Sequence, residues 1–260
     1  MHGSRLQSSS SLKHLFPPPP NRHVLKTTAK CISDYELIVE GDRIIVAISG
    51  GKDSWVLLHL LEHFRRVSPV RFELIALTIH PGFSDFNLSG IASQMRIWNI
   101  PYEIVYTRID ETIEKHLDKN SNPCAFCARL RRGALYRKSL ELNATKIALG
   151  HQADDAIETV FLSMLFEGRL CAIPPKLTVK DKPIDVIRPL IKVWEIDVLK
   201  YFKSLKLPLV KCPQTPTHSK RQQIKNLVQS ITAEYPNSKY QILSALQNVR
   251  ISHFLDSKWL

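Results

Sequence analysis

Ile44-Ile45-Val46-Ala47-Ile48-Ser49-Gly50-Gly51-Lys52-Asp53-Ser54 is the stretch that decides the fold. Ile44–Ser49 is a continuous apolar run of the kind a strand shows when both faces are covered. Two glycines end it, and helical spacing starts at once. Val56, Leu57, Leu60, Leu61 and Phe64 fall on one side of Ser54–Phe64. A strand that turns sharply into a helix offers open backbone N–H groups and a favourable dipole to a polyphosphate. Gly50 and Gly51 permit the turn. Ser49 and Ser54 add hydroxyl donors, and Lys52 adds a cation. Asp53 is repelled by phosphate, so its expected role is to hold a Mg²⁺ that bridges to the phosphates. The loop is not a Walker A loop, which has four residues between its first glycine and Gly-Lys-Ser/Thr.

The same alternation extends outward. Phe72–Ile79, Tyr102–Tyr106 and Lys146–Gly150 read as strands. Leu88–Trp98, a segment after Cys127, and Ala153–Phe166 read as helices. Strands alternating with helices of this length predict an α/β fold, a mainly parallel sheet flanked by helices on both faces. Two more helices are expected near Arg221–Ala233 and Lys239–Asn248. The organisation that follows is a disordered basic arm over 1–22, an α/β nucleotide domain over 23–190, and a basic, mainly helical C-terminal region over 191–260.

Composition restricts the partners. The 260 residues carry 36 Lys+Arg against 24 Asp+Glu, a formal net charge of +12, and are 44% hydrophobic. That apolar share supports a core and argues against a wholly disordered chain. No apolar run approaches the ~20 residues of a membrane helix. Five unevenly spaced cysteines do not make a disulfide framework, so a reducing, cytoplasmic compartment is expected. The charge is uneven. Residues 1–33 contain no acid, and Lys176–Lys225 holds twelve Lys+Arg against four acids. A polyanion such as RNA is the expected partner class, and no membrane.

Three further motifs carry chemistry. Cys124-Ala-Phe-Cys127 places two thiols at a spacing that suits one metal or cluster. Cys212 is the natural third ligand. Three thiolates suit a [4Fe–4S] cluster with one open iron; zinc with His218 as fourth ligand is the rival. Gly150-His151-Gln152-Ala153-Asp154-Asp155 ends a strand and enters a helix, where open α/β sheets gather ligands. Its carboxylates are placed for Mg²⁺ or a substrate. Arg129, Arg131 and Arg132 follow the cysteine pair directly and could hold RNA phosphates.

The loop Ser49–Ser54 resembles that of the PP-loop ATP pyrophosphatase superfamily. The ordered set SGGKDS, CAFCARLRRGALY, IALGHQADD, IPPKL and VIRPL resembles the tRNA-cytidine 2-thiolation family, from about His23 to Asp256. This resemblance implies a PP-loop domain and an ATP-dependent transferase that adenylates O2 of cytidine 32 in the anticodon loop and replaces it with sulfur. It implies that Ser49, Gly50, Gly51, Lys52, Asp53, Ser54 and Gly150 bind ATP, and that Asp53, Asp154 and Asp155 are catalytic. Cys124, Cys127 and Cys212 would ligate the cluster. A sulfur donor such as a cysteine desulfurase, and a homodimer, follow from the same likeness. Three features depart from the family: Cys212-Pro-Gln-Thr215 replaces a second CxxC, the segment 78–86 is short, and Gln152 stands where a second histidine is common. Two rival readings are a PP-loop ligase of the lysidine synthetase type, which has no use for three cysteines, and a metal-stabilised RNA-binding protein with a decayed ATP site.

Overall fold

Strand and helix do alternate from residue 43 to residue 167. The computed structural model describes residues 16–116, 123–178, 183–210 and 219–253. Its strands are β1 (Arg43–Ala47), β2 (Glu73–His80), β3 (Tyr102–Tyr106), β4 (Lys146–Ala148), β5 (Lys176–Thr178) and β6 (Asp185–Ile187). They form one sheet in the order β3-β2-β1-β4-β6-β5. All neighbours pair parallel except β5, which returns antiparallel on β6. The helices are α1 (Arg22–Asp34), α2 (Lys52–Val67), α3 (Ser89–Trp98), α4 (Ile109–His116), α5 (Pro123–Glu141), α6 (Ala153–Glu167), α7 (Glu195–Leu205), α8 (Lys220–Glu234) and α9 (Ser238–Ala245).

The period-2 geometry of a strand explains how the apolar run of β1 is used. Ile44 and Val46 point to one face. There they join Trp55, Leu58 and Leu61 of α2, Ile91 and Met95 of α3, and Tyr201 of α7. Ile45 points to the other face, with Leu77, Ile79 and Ile147, under Ile113 of α4 and Leu135 of α5. Both faces are therefore covered, as a parallel sheet requires.

One end of the sheet is fixed by charge. Lys146 Nζ lies 3.3 Å from Asp42 Oδ2, and both side chains are buried. Asp42 also accepts from Thr145 Oγ1 at 2.7 Å and Val39 N at 2.8 Å. This pairing joins the entries to β1 and β4, leaving their carboxyl ends for the site.

Several elements exceed the sequence reading. α1 is capped by Asn21, whose Oδ1 accepts from His23 N and Val24 N. α4 is a short helix after β3. β5 and β6 are antiparallel strands of three residues each, too short for a periodicity argument. α7 buries Val198, Tyr201 and Phe202 within the proline-punctuated stretch. The N-terminal segment also differs from a disordered arm from residue 16 onward. Phe16 is buried and stacks on His59 with ring centroids 4.6 Å apart, and Arg66 lies over its other side. His59 Nε2 contacts the Pro17 carbonyl at 2.9 Å, and Nδ1 the Tyr201 hydroxyl at 2.8 Å. An apolar residue before a proline run finds a hydrophobic seat, which composition does not reveal. Residues 1–15 lie outside the described residues.

Candidate nucleotide and metal site

The loop after β1 is shaped as an anion cradle. Gly50 has φ +81°, and a Cβ built there would lie 2.6 Å from the Cβ of Val210. Both facts require glycine. Gly51 is the N-cap of α2, and no side chain caps that helix. Its first-turn N–H groups are thus left for an anion. Ser54 Oγ donates to the Gly51 carbonyl at 2.9 Å and lies 3.3 Å from Ser49 Oγ. The Gly51 N–H donates to Ser49 Oγ at 3.3 Å. These bonds close the loop without covering the helix end. Gly150, at the end of β4, is pressed against α2. Its role here is close approach: a Cβ would meet the Asp53 carbonyl carbon at 2.9 Å.

Acidic and basic side chains meet beside the loop. Lys52 Nζ reaches both oxygens of Asp53, at 2.9 and 3.1 Å, and Glu195 Oε1 at 3.2 Å. Glu195 Oε2 takes Lys225 Nζ at 2.6 Å. Burial pushes the Asp53 carboxyl above its usual value, opposed by Lys52 and assisted by Asp155 and Glu195. Burial would lower Lys52, but Asp53 and Glu195 hold it above the usual lysine value. Asp155 accepts from Gln152 N at 3.0 Å and from Arg221 Nη1 at 2.8 Å. Glu158, one turn on, is pushed up to about 7 by burial, against the pull of Arg221. Asp154 is buried and committed elsewhere. Its Oδ2 accepts the Glu195 N–H at 2.7 Å, and its Oδ1 accepts from Lys239 at 2.6 Å. Asp53 and Asp155 therefore face one another electrostatically, while Asp154 holds the first turn of α7.

The cysteine pair lies in the first turn of α5. Three residues apart on a helix, Cys124 and Cys127 share a face. Cys127 is buried in the same apolar cluster as Ile79, at the carboxyl end of β2. Among the described residues no group of three His, Cys, Asp or Glu could hold a metal ion. Cys212 and His218 lie outside the described residues. The chain that leads to Cys212 does reach the loop, since the Val210 N–H donates to the Gly50 carbonyl at 3.1 Å. Cys31 does not compete as a ligand: it is fully buried, and burial pushes its thiol up to about 12. Cys171 is exposed, in the loop after α6. Of the three cysteines expected to ligate a cluster, the described residues thus place two, Cys124 and Cys127, on one face of α5.

The basic residues divide. Arg129 and Arg132 are exposed on α5, three residues apart and so on one face. Arg131 is half-buried, with an Nε that has no partner. Sequence reasoning gave no role to Arg188, which follows β6. It is buried, bonds the Pro174 carbonyl through Nη1 at 2.8 Å, and leaves Nε without a partner. No carboxylate pairs with it among the described residues. His151 Nδ1 is likewise unpartnered, and burial lowers that imidazole to about 4, helped by Arg188, Arg221 and Arg132. An unmet Arg188 donor beside a neutral His151 therefore sits at the carboxyl ends of β4 and β6, one strand from the loop. Glu158, Glu195, Arg221 and Lys225 also escaped the sequence reading. They come from three helices, α6, α7 and α8, and only the fold brings them together. By contrast, a mostly apolar cleft lined by Phe161, Met164, Leu170 and Leu246 holds none of the loop residues.

Comparison with known proteins agrees with this geometry. The family model described as a PP-loop domain matches residues 20–231. A tRNA-cytidine(32) 2-sulfurtransferase from Syntrophotalea carbinolica is 41% identical over 239 residues, covering 91% of this chain and 92% of that protein. One from Anaeromyxobacter dehalogenans is 38% identical, covering 90% of this chain and 82% of that protein. The fold is similar to that of the U34-tRNA thiolase NcsA from Methanococcus maripaludis, solved with its [4Fe–4S] cluster. The TM-score is 0.74 at 23% identity, over 91% of this chain and 81% of that one. No described helix is long and apolar enough to cross a membrane.

Proposed function

The chain belongs to the PP-loop family of tRNA-cytidine(32) 2-sulfurtransferases, and from this we propose that it replaces O2 of cytidine 32 in a tRNA with sulfur, using ATP. The observation that carries the proposal is the uncapped start of α2 behind Ser49–Ser54, next to the Lys52–Asp53 pair. The N–H groups of that turn would hold the phosphates. Lys52 would leave Asp53 for phosphate oxygen, and Asp53 would turn to Mg²⁺. Cytidine O2 then attacks the α-phosphorus and pyrophosphate leaves. Hydrosulfide adds to C2, its proton is lost, and AMP departs with the former O2. Water in place of sulfide would return cytidine, so the site must exclude it.

Cys124, Cys127 and Cys212 would hold the [4Fe–4S] cluster, which would supply iron chemistry for the handling of sulfide. Arg129 and Arg132, exposed on α5, are suited to RNA phosphates. Arg188, with its unmet Nε beside a neutral His151, is suited to phosphate of the nucleotide that enters the site. The same proposal includes a separate sulfur donor of the cysteine desulfurase kind, a homodimer and a cytoplasmic location; these rest on the family likeness alone. The test is anaerobic incubation with MgATP, sulfide and unmodified tRNA, followed by mass spectrometry of the nucleosides. The proposal requires 2-thiocytidine. AMP and pyrophosphate without a thionucleoside would point to a PP-loop ligase instead.

A further inference from the structure

We propose that Glu195 is a positioning residue for the loop lysine, holding Lys52 at the phosphate cradle from α7 while Lys52 also pairs with Asp53. The inference rests on the ATP reading of that loop. Lys52 and Asp53 are adjacent in sequence, and one ammonium already reaches both carboxylate oxygens. Glu195 Oε1, 3.2 Å from the same Nζ, draws the ammonium the other way. The ammonium is thus held between two carboxylates, one from its own loop and one from α7.

Glu195 is itself held in place. It is the first residue of α7, where the helix dipole favours a carboxylate. Its N–H is fixed by buried Asp154, which Lys239 of α9 holds in turn. Its second oxygen is fixed by Lys225 of α8. All three side chains of the Lys52 triad are largely screened from solvent, at 23%, 34% and 30% exposure, so their attractions exceed those of surface pairs. The arrangement is a fixed arm from the C-terminal helices to the phosphate-binding lysine. It also gives Asp154 a purpose as the anchor of that arm.

The test is equilibrium titration of the full-length protein with MgATP, without RNA. Glu195→Gln is expected to weaken binding about fivefold or more, and Glu195→Asp to restore it to within about twofold of wild type. In a Lys52→Met background, Glu195→Gln should change the affinity by less than about twofold, because its effect acts through that lysine. An equal loss in both backgrounds, or no loss in either, overturns the proposal. Thermal melts of each variant identify any that is unfolded, and Glu195→Ala with its Lys52→Met double variant then decides in place of the glutamine. If the wild type itself fails to bind MgATP, the ATP reading falls along with this one. If the wild type binds and Glu195→Gln binds equally well, only the positioning role falls.

Discussion

Gly150 lies so close to Asp53 that a β-carbon on it would sit 2.9 Å from the Asp53 carbonyl carbon and 3.0 Å from its oxygen. The end of β4 is thus the surface against which the first turn of α2 is seated. Gly150→Ala must push that turn, and with it Lys52 and Asp53, by several tenths of an ångström. We expect it to reduce pyrophosphate formation by about tenfold or more, because small misplacements at a reacting centre are costly. Pyrophosphate release assays check this, with circular dichroism to confirm the fold. Gly133, whose added Cβ would meet nothing within 4 Å, serves as the control substitution.

Asp53 is proposed as the leading carboxylate of the site. Asp53→Asn keeps its size but removes its charge from Lys52 and from Mg²⁺. ATP turnover should fall by about 100-fold or more. Unchanged turnover would remove the residue from the mechanism.

Glu158 makes stability depend on pH in a specific direction. Its folded value is raised from 4.5 to about 7, chiefly by burial. Between those values the folded protein holds a proton that the unfolded chain has released. Its contribution is therefore full below about pH 4.5 and is lost as pH rises through 7. Glu158→Gln, neutral at every pH, should flatten that part of the slope. Melting temperatures of both proteins from pH 4.5 to 8 provide the comparison.

Cys124→Ser should lose iron and thiolation together while keeping MgATP binding, since the pair stands on α5 and the phosphate cradle on α2. Iron and sulfide analysis after anaerobic reconstitution reads the first, and equilibrium titration the second. A wild-type protein that takes up one zinc and no iron would exclude the cluster.

Much of the fold was legible because β1 is apolar on both faces and turns through two glycines into an amphipathic helix. Elements of three residues, such as β5 and β6, are too short to show a period. Phe16 is hidden in a segment whose serines, prolines and basic residues suggest disorder. The site was legible where its residues are contiguous, as in Ser49–Ser54 and Cys124–Cys127. It was not legible at Glu195, which reaches Lys52 only after the strands have brought α7 beside α2. Asp154 and Asp155 look equivalent in sequence. Helix geometry separates them, turning one towards α7 and the other towards Arg221.

The proposed reaction exchanges oxygen for sulfur on a tRNA cytidine. Reconstituted protein, MgATP, sulfide and unmodified tRNA should yield 2-thiocytidine at position 32, with AMP and pyrophosphate formed in equal amounts. AMP and pyrophosphate without any thionucleoside, or a tRNA left wholly unchanged, would contradict it.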